Sequence, residues 1–202
     1  MTTLSQAKTL GGVGAIFVLL TAIPGVGWIL GIAGFVMILI AVNYISQAVA
    51  DRKIYNNMII SVVLAIAAVA VGTVTVVGTV FHVLGMGTFV GSDFVLSPNI
   101  AVGDWIGLAG AVIAALAVVW GLLIASAVFL RSSFNSISRR LNINMFSSAG
   151  LLYLIGAATA IIGVGFLLIL VAEMLLAISF FSMSEEHKAP TVGQAQGIPT
   201  RP

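Results

Sequence analysis

Long apolar runs separated by short polar stretches dominate this chain. The runs cover residues 9–24, 28–46, 58–84, 105–130, 146–162 and 166–183. A helix needs ~20 apolar residues, within a range of about 17–25, to cross a hydrocarbon core ~30 Å thick. Helix is favoured even for the β-branched residues 72–80, because an isolated strand in lipid leaves its backbone groups unpaired. The pattern predicts an all-α integral membrane protein folded as a six-span helical bundle.

The last two runs form a tight hairpin, since only a glycine-containing turn separates them. A single helix over residues 146–183 is roughly 57 Å long at ~1.5 Å per residue, which is far more than the membrane needs. The chain is therefore expected to fold back at Gly163-Val164-Gly165. The first two runs meet at a similar turn, Pro24-Gly25-Val26-Gly27. Two terminal hairpins are thus predicted to flank two long spans.

The sequence leaves open how far these hairpins extend across the membrane. Each arm lies at the lower limit of length for crossing, and neither turn carries a charged side chain. The arms are either short full spans with the turn at the interface, or re-entrant hairpins held inside protein. Trp28 favours full spans, because tryptophan is enriched at membrane interfaces.

Three polar segments connect or follow the runs. Residues 47–57 and 131–144 are predicted to be linkers, and residues 85–104 the main loop outside the membrane. The spacing of Phe134, Ile137 and Leu141 would let the second linker lie flat at the interface. Residues 1–183 form a single transmembrane domain, and the composition of residues 184–202 predicts a disordered cytoplasmic tail.

Composition excludes a soluble domain. The chain is 60% hydrophobic and 7% charged, with a mean hydropathy of +1.21, whereas soluble domains are about 25% charged. The absence of cysteine excludes disulfides, thiolate metal sites and a thiol nucleophile. A net charge of +2 is too small to indicate nucleic-acid binding.

The distribution of basic residues predicts the orientation. With six spans, or with two spans and two re-entrant hairpins, every Lys and Arg falls on one side of the membrane. The positive-inside rule makes that side cytoplasmic, with both termini there and the protein in the cell membrane. The residues expected to set topology and contact anionic headgroups are Arg52, Lys53, Arg131, Arg139 and Arg140.

The two hairpins resemble each other. Gly25-Val26-Gly27-Trp28-Ile29-Leu30 matches Gly163-Val164-Gly165-Phe166-Leu167-Leu168, and residues 40–46 match residues 176–182. Internal duplication would fit a transporter, where sites lie at the repeat interface, or a helical scaffold that transports nothing.

These same motifs resemble a known family. Leu10-Gly11-Gly12-Val13-Gly14, the first hairpin turn and the Leu-Ala-Ile-Ser-Phe-Phe-Ser ending of the second hairpin are similar to an archaeal multi-pass membrane protein family. That family is catalogued as a domain of unknown function (DUF996-like). The resemblance implies a membrane bundle and brings no assigned activity, cofactor or functional residue.

Glu173 is the sharpest candidate for chemistry, because it is the one Asp, Glu, His, Lys or Arg in residues 146–183. It lies ~12 Å along a helix from Gly165, where an ionised carboxylate costs several kcal/mol and the neutral acid is favoured. It is either a proton or cation relay, or a neutral acid hydrogen-bonded to a neighbouring backbone, Ser or Thr. No charged partner is predicted at its depth.

Other candidates are weaker. His82, Asp93 and Asp104 lack the compact spacing of a metal site. Glycines expected at turns and close helix contacts are Gly25, Gly27, Gly31, Gly103, Gly107, Gly163 and Gly165. No phosphate-binding loop, catalytic triad or metalloprotease motif is present, so neither enzymatic activity nor a cofactor is predicted.

The sequence therefore supports two functional hypotheses. The first is a non-enzymatic structural or accessory protein that packs against other membrane subunits or a second copy of itself. The second is a small proton- or cation-coupled channel or carrier that uses Glu173. A dry, protein-covered Glu173 would favour the first, and a hydrated polar cavity around it the second.

Overall fold

The computed structural model describes residues 3–24, 26–83, 88–90, 93–95 and 102–184. Five of its helices are long and apolar enough to cross a membrane, and a shorter apolar helix covers Leu4–Leu19. The predicted all-α membrane bundle, with a hairpin at each end and two long helices between, is confirmed. The helices are α1 (Thr3–Leu19), α2 (Gly27–Ala48), α3 (Arg52–Val83), α4 (Val102–Leu141), α5 (Asn144–Thr159) and α6 (Val164–Phe181).

Two short antiparallel strands lie between α3 and α4 along the chain. They are β1 (Thr88–Val90) and β2 (Asp93–Val95), with Phe89 opposite Phe94. The segment predicted only as a loop therefore contains a small β-hairpin. Predictions for the tail beyond residue 184 lie outside the described residues.

The two terminal hairpins share one plan. In each, a three-residue 3-10 helix follows the first arm, at Leu20–Ala22 and at Ala160–Ile162. Gly163 then reverses the chain with a left-handed φ of 81°. A Cβ at Gly165 would collide with the backbone of Gly156 and Ala160, so the arms approach as closely as glycine permits.

The likeness between the two ends of the chain is confined to these hairpins. In the N-terminal half the long helix follows the hairpin, whereas in the C-terminal half it precedes it. An internal duplication that includes the long helices stays a prediction.

Both predicted linkers contain a turn between helices, at residues 49–51 and 142–143, but the long helices extend into them. α3 already begins at Arg52, and α4 runs for 40 residues to Leu141. Phe134 and Ile137 share a helical face that is fully buried in the core. Their spacing therefore reflects burial against other helices and not a helix lying flat on lipid.

The core occupies one end of the bundle, called here the basal half: the end at which the α2–α3 and α4–α5 turns lie. Phe146 packs edge-on against Phe180, with ring centroids 5.1 Å apart, and lies 6.3 Å from Phe134. The largest other buried side chains there are Ile45, Ile54, Met58, Ile137, Leu176 and Val42.

Buried serines join the long helices within this basal half. Ser133 Oγ donates to the carbonyl of Ile54 at 2.8 Å, and the hydroxyls of Ser61 and Ser126 are 3.0 Å apart. Each of these three buried hydroxyls has a hydrogen-bond partner, so the contact between α3 and α4 leaves none of them unsatisfied.

The α2–α3 and α4–α5 turns end their first helices in the same way. Ala50 and Asn142 take left-handed φ values of 52° and 57°. The amide of the following residue then reaches back to a serine carbonyl, from Asp51 to Ser46 at 3.0 Å and from Ile143 to Ser138 at 3.1 Å. This is the Schellman arrangement that closes a helix C-terminus.

Asp51 links these two turns. Its Oδ1 accepts the amide of Lys53 at 3.1 Å, which caps the start of α3. Its Oδ2 accepts from the guanidinium of Arg140 at 3.1 Å. The Arg140 side chain is 57% exposed, so the ion pair alone is expected to contribute little.

Substitutions at Asp51 should separate capping from ion pairing. Asp51→Asn keeps a capping oxygen, so it should lower stability by no more than ~1 kcal/mol, as should Arg140→Ala. Asp51→Ala loses both interactions and should lower it by about 2 kcal/mol. Thermal unfolding in detergent measures the order. Equal loss in Asp51→Asn and Asp51→Ala would show that the ion pair dominates.

Candidate functional site

The C-terminal hairpin places Glu173 inside the bundle. α6 starts immediately after the left-handed Gly163, and Gly165 presses its first turn against α5. Glu173 follows eight residues later, roughly 12 Å along the helix. It shares the buried face of α6 with Ala172, Leu176 and Ala177.

Glu173 is covered by protein. The residue is 4% exposed, and its Oε2 has no hydrogen-bond partner among the described residues. A buried polar atom without a partner costs ~1–3 kcal/mol, and more if the group is charged. Such a group is either a tolerated structural cost or the binding point for a proton or cation.

Neighbouring hydroxyl groups on the same hairpin bond elsewhere. Ser179 Oγ donates to the carbonyl of Leu175 at 2.6 Å, and Thr159 Oγ1 donates to that of Ile155 at 2.8 Å. Both hydroxyl hydrogens are therefore used within their own helices, and no described Ser or Thr is hydrogen-bonded to the Glu173 Oε2.

The basic residues predicted to contact headgroups lie at the basal end of the long helices. Arg52, Lys53, Arg131 and Arg139 are exposed there. Arg140 is also exposed, but its guanidinium forms an ion pair with Asp51, which connects the α4–α5 turn to the α2–α3 turn. That pairing joins residues 89 apart in the chain, and no sequence pattern indicated it.

The predicted glycines fall into different environments. A Cβ on Gly27 or Gly31 would press on Thr21, and one on Gly165 on α5. Gly107 has open space around it, so it makes no close contact within the chain. Gly103 lies in the first turn of α4 with surroundings outside the described part, and Gly25 is outside the described residues.

The three candidate metal ligands are not brought into a described site. His82 lies half-buried in the last turn of α3. Asp93 belongs to β2 and Asp104 to α4, but their side chains lie outside the described part. Among the described residues, no three His, Asp or Glu side chains are grouped to hold a metal ion.

Two features of the structure had no signal in the sequence. One is a polar basal cavity of ≈ 440 Å³, which joins Leu4, the α4–α5 turn and Met183. The other is an apolar groove of ≈ 410 Å³ between α3 and α4, lined by Gly72, Val76 and Val119. Both are made by residues distant in the chain, so only packing reveals them.

These apolar helices and their two hairpins define a multi-pass helical membrane protein. Residues 30–174 match the model of a family described as "Protein of unknown function (DUF996)", and the chain belongs to this family. The match extends from α2 through Glu173, and the resemblance seen in the sequence is confirmed.

The chain is also similar to the "Uncharacterized protein MJ1644" of the archaeon Methanocaldococcus jannaschii. The two are 33% identical over 186 residues, which cover 92% of this chain and 96% of the relative. No solved structure matches the chain significantly.

Replacing Glu173 should show whether its carboxyl group stabilises the fold. Glu173→Gln keeps the shape and should unfold at nearly the parental temperature. Glu173→Leu removes a buried unpaired oxygen and should match or exceed the parent. The control Leu176→Gln adds a polar group to the same buried face and should lower stability by ~2 kcal/mol or more. A loss in Glu173→Leu as large as in this control would show that the carboxyl has a stabilising partner.

Proposed function

We propose that this chain is a non-enzymatic accessory or structural membrane protein that packs against another membrane subunit or a second copy of itself. The observation that carries the proposal is the bare distal half of α3 and α4, the part beyond the hairpin turns. There the two helices contact each other and expose apolar side chains on their remaining faces, including Val74, Ile106 and Ile113.

Several glycines on this distal surface have open space around them. A Cβ at Gly78, Gly107 or Gly110 would meet nothing within 4 Å. In the basal half, by contrast, a Cβ at Gly14 or Gly34 would meet the backbone of the opposite helix. Small residues in membrane helices permit close approach of another helix, and no described residue lies within 4 Å of a Cβ placed at these distal glycines.

The same proposal includes location and orientation. The exposed Arg52, Arg131 and Arg139 lie at the basal end of the long helices. By the positive-inside rule this end faces the cytoplasm of the cell membrane, together with both termini.

Crosslinking from single cysteines tests the packing proposal, since the natural chain has no cysteine. Cysteines at Gly78, Gly107 and Gly110, each carrying a benzophenone maleimide, should yield a protein adduct after illumination of native membranes. A copy of this chain gives an adduct near twice 20.8 kDa, and another subunit gives a different mass.

Ile60→Cys and Val63→Cys are matched controls, because both side chains are exposed on the basal part of α3. They should give weaker adducts than the distal positions. When Gly78→Leu or Gly107→Leu is combined with Gly110→Cys, the double variant should fold normally. It should form at least tenfold less adduct than Gly110→Cys alone. Absence of any protein adduct at all three distal positions would contradict the proposal.

A relay through Glu173 is the second candidate, favoured by its buried, unpartnered Oε2. We expect parental proteoliposomes loaded with a pH-sensitive dye to show no more proton flux than empty liposomes. A parental flux that disappears in Glu173→Gln would establish the relay instead. Asp51→Asn is the control, since it removes an acid at the basal surface and should leave any such flux unchanged.

A further inference from the structure

The terminal hairpins reach only part of the way along the long helices. Ser147 Oγ lies 3.3 Å from Asn135 Oδ1, and Trp120 Nε1 donates to the carbonyl of Ala158 at 3.3 Å. α5 ends at the next residue, so its turn lies beside Trp120. From there α4 continues towards Trp105 for roughly 22 Å at ~1.5 Å per residue.

The N-terminal hairpin turns at a similar level. Leu4 lines the basal cavity together with Arg140, which places the start of α1 at the α4–α5 turn. α1 rises roughly 22 Å from Leu4 to Leu19. The same rise along α4 from Arg140 reaches only to about residue 125. Both hairpins therefore turn near the middle of α4.

The exposed side chains of α3 and α4 locate the hydrocarbon core. On α3, exposed apolar residues begin at Ile60, just after the exposed Asn56, and continue to Phe81. On α4 they run from Trp105 to Val128, just before the exposed Arg131. These belts are about 32 and 35 Å long, which matches a ~30 Å core with slight tilt.

A bilayer positioned so that the short hairpins cross it is penalised at both ends. Arg131 lies beside Gly150, since a Cβ there would be 3.1 Å from the Arg131 Cα. Gly150 is near the middle of α5, so Arg131 would face the bilayer centre at a cost of ~2.5–3.5 kcal/mol. With the bilayer in that position, Ile106, which is 73% exposed, and the exposed apolar residues near it would lie in water.

We propose that both terminal hairpins enter the membrane from the basal side and turn back near its mid-plane, so that only α3 and α4 cross. The partner of the hairpin turns is then the hydrocarbon interior of one leaflet. Their outer side chains fit this partner, since Ile161 and Ile162 are each 70% exposed and Ile29 is 52% exposed.

Backbone hydrogen bonds within the turns pair some of the groups that a position inside lipid would otherwise leave unsatisfied. The 3-10 helices supply bonds from Ile23 to Leu20 and from Gly163 to Ala160, each 3.0 Å. Gly27 donates to Ile23, also at 3.0 Å. The chain thus reverses within a few residues that bond mainly to each other.

The arrangement makes the molecule a wedge. Six helices occupy the basal leaflet and two occupy the distal leaflet. The protein therefore displaces more lipid from one leaflet than from the other. It also leaves the distal halves of α3 and α4 packed only against each other among the described helices.

Tryptophan fluorescence tests the depth directly, because Trp28 and Trp105 mark the two levels. Single-tryptophan variants, made with Phe at the other two positions, are reconstituted with lipids brominated near the headgroup or near the chain end. Trp28 should be quenched at least twofold more by deep bromines, and Trp105 more by shallow ones. Stronger quenching of Trp28 by shallow bromines would overturn the proposal.

Cysteine labelling gives an independent test, because it uses single-cysteine variants and does not require the tryptophan variants to fold. With an impermeant maleimide, Ser92→Cys should label from one side of the membrane and Ser136→Cys from the other. Ile162→Cys should label from neither side until detergent is added. Labelling of Ile162→Cys together with Ser92→Cys would place the turn across the membrane and refute the proposal.

Discussion

The thickness of the bilayer is the constraint on which this structure depends. A hydrocarbon core of ~30 Å needs ~20 helical residues, but α3 has 32 and α4 has 40. The excess of both helices lies at the basal end, where the exposed residues are polar. The packed core, with Phe134, Phe146 and Phe180, gathers around that excess. Part of it therefore lies near water, where burying apolar surface gives a stabilisation that lipid cannot provide.

Two kinds of packing follow along the same pair of helices. In the basal half, α2 packs against α3 and α5 against α4, while α1 and α6 pack against each other. Glycines such as Gly34 and Gly165 lie at the closest contacts within the two hairpins. In the distal half, Gly78 and Gly107 have nothing against them. The helices are therefore packed together in the basal half, whereas the distal half of α3 and α4 exposes its surface within the membrane. This is the physical reason to interpret the protein as a packing partner.

The surroundings of Glu173 bear on whether it has a structural role or relays protons. Glu173 is buried on the face of α6 that also carries Ala172, Leu176 and Ala177, and the hydroxyl groups of Ser179 and Thr159 bond within their own helices. The family to which the chain belongs has no assigned activity, so the meaning of this acid rests on its surroundings. A covered acid lacking a described partner at Oε2 fits a structural role, and a relay would require a water path to reach it.

The sequence alone determined the class of protein and the two hairpin turns, and it predicts that the basic residues lie on one side of the membrane. Apolar length, glycine spacing and charge order are local properties, so they are visible without a fold. The tertiary structure decided what depends on packing between distant segments. Residues 131–141 look like a polar linker, yet one face of that helix is buried because Phe134 meets Phe146. Gly78 and Gly165 look alike in the sequence, and only their neighbours distinguish them. The contact of Trp120 with Ala158 fixes the level of the hairpin turn, since helix register depends on side chains that no local pattern brings together.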